Sequence, residues 1–148
     1  MYSKKAVAYS LGKSIKAGQL ILTLNSALLA ENISHEHPLR IRTDYGPQMS
    51  SNRFHFYLKK LARKLTHEFI PPRTQNRNAY VESFFLIFEK TVIEIRYFDN
   101  YHDVYESVVN FVEFYNNRRL HRSTRKLSPI NYIKKFEAEE IKKHVISA

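Results

Sequence analysis

The stretch PLRIRTDYGPQMSS (residues 38–51) changes character at a single aspartate. Before it, Leu39, Ile41 and Thr43 alternate with Arg40 and Arg42, the period of a half-buried strand. The alternation stops at Asp44. Gly46-Pro47 is a turn signal, and Ser50 or Ser51 then suits the N-cap of a following helix. The reading strand, aspartate, turn, helix makes this an α/β chain. Strand C-terminal ends are where α/β sheets collect functional groups, so Asp44 is a candidate site residue. An aspartate is equally suited to open a turn by bonding its own backbone. This stretch alone leaves both readings open.

Outward from this stretch the pattern continues. Residues 4–11 (KKAVAYSL) read as a short strand, and 16–31 as a helix with Leu20, Leu24, Ala27 and Leu28 at helical spacing. After the cap, Phe54, Leu58, Leu61 and Leu65 make the apolar stripe of a second helix, with Lys59, Lys60, Arg63 and Lys64 mostly off it. Residues 66–70 (THEFI) read as a strand, stopped by Pro71-Pro72 and a basic polar loop over 73–78. A helix over about 78–96 turns Val81, Phe84, Phe85, Phe88, Val92 and Ile95 inward. Another over about 101–117 buries Val104, Val108, Phe111, Val112 and Tyr115. A charged helix comes after Pro129.

Composition narrows the function. The chain has 148 residues, about one domain, and 43% of them are hydrophobic, enough for a packed core. Lys and Arg number 24 against 14 Asp and Glu, a formal charge of +10. Basic residues interleaved with Tyr, Phe, Asn and Gln favour nucleic acid as the polyanionic partner. The absence of cysteine excludes disulfides and thiolate zinc sites. With only three glycines there is no phosphate-cradling loop. No apolar run approaches a membrane span, and the start is too short and polar for a signal peptide, so the expected setting is cytoplasmic. His35 and His37 flank Glu36, a pattern that is more often a solvated loop than a metal site.

Glu82 lies at the border of the apolar stripe of its helix, where a carboxylate is able to look towards a strand end. Two acids so placed are able to ligate a hard divalent cation. Three motifs now carry a resemblance: RTDYGPQMSS (42–51), EFIPPRTQNRNAYVESFF (68–85) and YNNRRLHRSTRKLSPINY (115–132). In order and spacing they resemble the catalytic core of DDE-type transposases and integrases. The likeness is nearest to bacterial insertion-sequence transposases with a retroviral-integrase-like core.

The resemblance implies a ribonuclease-H-like fold in which two aspartates and a glutamate hold Mg2+ or Mn2+ for DNA cleavage and strand transfer. Asp44 falls on the second acidic position and Glu82 on the glutamate, as catalytic and metal-ligating residues. The family's first aspartate lies on a strand before the segment matching residues 1–12. The expectation is therefore an N-terminally truncated core lacking its first two strands and followed by C-terminal helices. It would span residues 1–132, with 133–148 as a charged helix or tail. Such a chain would bind the metal poorly, be inactive alone, and tend to self-associate through an exposed strand edge. The alternatives are a non-catalytic basic DNA-binding module and a remnant of a mobile element. DNA contacts are expected from Arg73, Gln75, Asn76, Arg77, Asn78, Lys90, Arg119 and His121. For His121, bracing of the active-site helix competes with DNA contact. Three positions depart from the family pattern: Glu89, where a basic residue is usual; Leu120, where Pro is frequent; and Arg125, where Gly is frequent.

Overall fold

The structure, a computed structural model, describes residues 3–34, 36–61, 64–71 and 75–142, with side chains from residue 79 onward in the last segment. The chain divides into two compact units, one of Val7–Glu82 and the other of Met1–Ala6 with Ser83–Ala148.

The first unit is built round a parallel strand pair. β1 (Leu39–Thr43) and β2 (Leu65–Phe69) run in register from Leu39 opposite Leu65 to Thr43 opposite Phe69. The ladder continues beyond each end through Leu39 N to Lys64 O and Ile70 N to Thr43 O, both 2.8 Å. α2 (Asn52–Lys60) makes the crossover between the strands. Its N-cap is Ser51, whose hydroxyl accepts from Phe54 N at 3.3 Å and donates to Gln48 O at 2.7 Å. Phe54 and Leu58 are buried, as their spacing predicts. Leu65 is not part of that stripe: it opens β2, because the helix stops at its C-cap, Leu61.

The strand faces divide cleanly. Arg40 and Arg42 point outward and both pair with Glu68, at 3.1 and 3.0 Å. On the other face Phe54 and His55 cover His67 and Phe69, with Tyr45 stacked on Phe69 at 4.7 Å. α1 (Ala17–Ala30) packs on α2, and the Tyr57 hydroxyl donates to Asn25 Oδ1. α1 closes in a Schellman turn: Asn32 has φ 45°, and Ile33 N reaches Leu28 O.

The second unit is helical, and the helix that enters it begins in the first, which ends at Glu82. α3 (Gln75–Phe88) starts three residues earlier than the sequence pattern suggests, so the polar run 75–78 is helix and not loop. It passes into a π-helical turn (Glu89–Ile93), closed by Glu94 N to Glu89 O at 2.9 Å. A π turn inserts a residue and rotates the side chains beyond it about the helix axis. This corrects the expected inward stripe. Phe84, Phe88 and Val92 pack against Phe111 and Tyr115 of α4 (Tyr101–Asn117), whereas Ile95 is 70% exposed. Val81 and Phe85 are also exposed, Phe85 because it stands about 100° round the helix from Phe84. In α4 the expected positions Val108, Phe111 and Tyr115 are buried. α5 (Pro129–Glu137) starts from a fully buried Ser128 cap with Pro129 in its first turn.

Residues 4–11 are not a strand, contrary to the short strand expected there. A strand needs a ladder partner. Here the polar groups of Ala6 are taken by a side chain instead: Ala6 N donates to Asn116 Oδ1 and Asn116 Nδ2 donates to Ala6 O, both 2.9 Å. Lys4, with φ 61°, also leaves the extended region. Among the described residues no helix is long and apolar enough to cross a membrane.

Candidate functional site

Parallel strands present their C-terminal ends together, and here those ends are Thr43 and Phe69. Asp44 is the first residue beyond β1 and is exposed. Its Oδ1 accepts from Gly46 N at 3.0 Å, the turn-opening bond that its sequence context allowed. A Cβ on Gly46 would sit 3.0 Å from that same oxygen, so the missing side chain lets the carboxylate fold over the turn. Beside it, Thr43 Oγ1 and His67 Nε2 lie 2.9 Å apart. Burial, and then the neighbouring His55, hold the His67 imidazole below its ordinary range. The sequence reading missed this histidine. Its signal was present, since His67 alternates in phase with Leu65 and Phe69 on the inner face of β2.

Glu82 is on α3 and exposed. Among the described residues no group of three or more His, Cys, Asp or Glu side chains is gathered closely enough to hold a metal ion. With one oxygen of Asp44 engaged by Gly46, these side chains do not make a complete divalent-cation site. His37 is exposed and belongs to no such cluster, and His35 lies outside the described residues.

Of the residues expected to meet DNA, Arg73 lies outside the described residues. Gln75, Asn76, Arg77 and Asn78 form the first turn of α3, their side chains outside the description. Lys90 is exposed on the π turn. Arg119 is half-buried just beyond α4. His121 is buried, its ring edge-on to Tyr115 at 4.9 Å. Among the described residues, its Nε2 and Arg119 Nε have no hydrogen-bond partner. Burial, with Lys4 and then Arg119 adding repulsion, lowers the His121 imidazole to about 4, so it is neutral at physiological pH. Tyr115 is raised by the same burial.

The match to a known family covers part of these elements and leaves out β1 and Asp44. Residues 63–129 match the integrase core domain family, a segment that takes in β2, α3 with Glu82, α4 and the turn after it. A protein named as a candidate transposase for insertion sequence element IS150 in Escherichia coli (strain K12) is 28% identical over 134 residues, covering 89% of this chain and 45% of its own length. An uncharacterized 39.2 kDa protein of insertion element IS476 in Xanthomonas euvesicatoria is 21% identical over 139 residues, covering 94% of this chain and 38% of its own length. The chain thus spans less than half the length of these curated relatives. Through residues 63–129 this α/β chain is thus similar to integrase cores, and over most of its length to proteins of insertion elements.

Proposed function

We propose that the chain is the DNA-handling part of a transposase catalytic core, with Asp44 and Glu82 as two of the acids such a core uses. The observation that carries this reading is the integrase-core match over residues 63–129, which contains Glu82 in a helix that comes after a parallel strand. The position of Asp44 directly after β1 supports its assignment as the second acid. DNA is the partner; the surplus of basic groups supplies a sequence-independent attraction to phosphate. We assign His121 a bracing role, since its ring is buried against Tyr115.

A second reading, a basic DNA-binding module without chemistry, is favoured by the Asp44 oxygen bound to Gly46 N. One experiment tests both. The folded chain is titrated with duplex DNA at about 50 and 200 mM salt, then incubated with substrate DNA and Mg2+ or Mn2+. We expect binding that weakens steeply with salt, and no cleavage or joining by this chain alone. Failure to bind in low salt overturns both readings. Metal-dependent strand transfer, abolished by Glu82→Gln or Asp44→Asn, would show instead that the acids complete a working site.

A further inference from the structure

The turn after α4 is strained at positions where strain is easily avoided. His121 and Leu127 form an antiparallel bridge, and Arg122–Thr124 make a 3-10 turn between them. Arg125 then has φ 56° and ψ 37°, and Lys126 has φ 58°. These are consecutive left-handed residues with full side chains. Such a conformation disfavours any residue with a Cβ, and glycine would adopt it freely. Lys4, Asn32 and Glu139 also have positive φ, but each does so singly, Asn32 and Glu139 where a helix closes. Backbone strain that persists where glycine would relieve it points to a role for the side chains.

The turn is also rigid and uniformly cationic. Thr124 is fully buried; its hydroxyl donates to Leu127 O at 2.6 Å and lies 3.1 Å from His121 O. His121 O further accepts from Thr124 N and Lys126 N. Above this frame Arg122, Arg125 and Lys126 are exposed. Among the described residues, Glu68 is taken by Arg40 and Arg42 and Glu140 by Lys135, and no ion pair reaches these three cations. No acid occurs between Glu113 and Glu137. The local potential is positive enough that Lys4 and Arg119 both press on His121. A hydrogen-bonded turn whose three cations join no ion pair among the described residues suits a ligand that brings repeated negative charge.

We propose that the turn from His121 to Leu127 is a grip for the phosphodiester backbone of DNA, with Arg122, Arg125 and Lys126 addressing phosphate oxygens. This rests on the DNA reading above and adds residues to it. The test uses the full chain and a generic duplex, with affinity measured across a salt series. Arg125→Gly should melt ~2–4 °C higher, because strain is relieved. It should nevertheless bind DNA more weakly, its log–log salt slope falling by about 0.9 because one phosphate is no longer neutralised. The triple variant Arg122→Gln, Arg125→Gly, Lys126→Gly should lose about 2–3 from the slope. Lys134→Gln, an exposed cation of α5, should leave it near wild type. A triple variant with the wild-type slope, in a wild type that binds, overturns the grip alone. A wild type that fails to bind overturns the DNA reading itself. A lower melting temperature for Arg125→Gly overturns the strain argument and the grip with it. Loss of binding to phosphatidylserine vesicles with DNA affinity unchanged would assign the turn to a membrane surface instead.

Discussion

His121 shows how one buried ring couples this fold to pH. Its ordinary value of 6.5 falls to about 4 in the folded chain. Above pH 6.5 the ring is neutral in both folded and unfolded states and pH changes nothing. As pH falls below 6.5 the unfolded chain takes up a proton that the folded chain refuses until about pH 4. Stability is therefore lost across that window, by on the order of 2–3 kcal/mol. His67 is lowered too and adds a loss of the same sign. Melting temperatures of the wild type should drop between pH 6.5 and 4. His121→Gln should flatten most of that drop, leaving the share of His67. Parallel profiles for wild type and variant would remove His121 as the cause.

At the scale of elements, caps and covers decide where helices begin and which faces they bury. Ser50 and Ser51 are equally good caps on paper, yet only Ser51 has the extended backbone and the bond from Phe54 N. Ser50 is exposed and reaches back to Gly46 O instead. Ser51→Ala should cost about 1 kcal/mol of stability in urea unfolding. Ser50→Ala should stay within about 0.5 kcal/mol of wild type. Equal losses would mean that the cap is shared. The π turn after α3 acts at the same scale: one inserted residue keeps Val92 in the core and turns Ile95 out to solvent.

For the whole molecule, the sheet is the weak point. Among the described residues β1 and β2 pair only with each other, and a two-stranded sheet buries little by itself. Unpaired strand edges are templates for other chains. Arg40 and Arg42 place charge on one face of β1, and Glu68 draws that charge to the adjacent strand. We expect sedimentation velocity to show concentration-dependent self-association, accompanied by a broad, low-temperature melt. A monomer at every concentration with a sharp cooperative transition would refute this.

The helical periods, the alternation over β1 and the family motifs were all legible in the residues, because apolar spacing and turn chemistry are local properties. The helix over 101–117 and the buried Phe54, Leu58, Phe111 and Tyr115 followed from spacing alone. The candidate acids were picked out by their places in the family motifs, since an aspartate after an alternation and a glutamate beside a stripe are weak signals by themselves. The fate of residues 4–11 was not, because a strand exists only if another backbone lies beside it, and here the Asn116 amide takes that place. Nor was the π turn, whose extra residue leaves no mark in hydrophobic spacing. The left-handed pair at Arg125 and Lys126 was only partly legible, because neither side chain signals positive φ, although glycine is frequent in the family pattern at the position of Arg125. Such a conformation is held by the Thr124 and His121 bonds that enclose it, and those bonds exist only once the chain has folded around them.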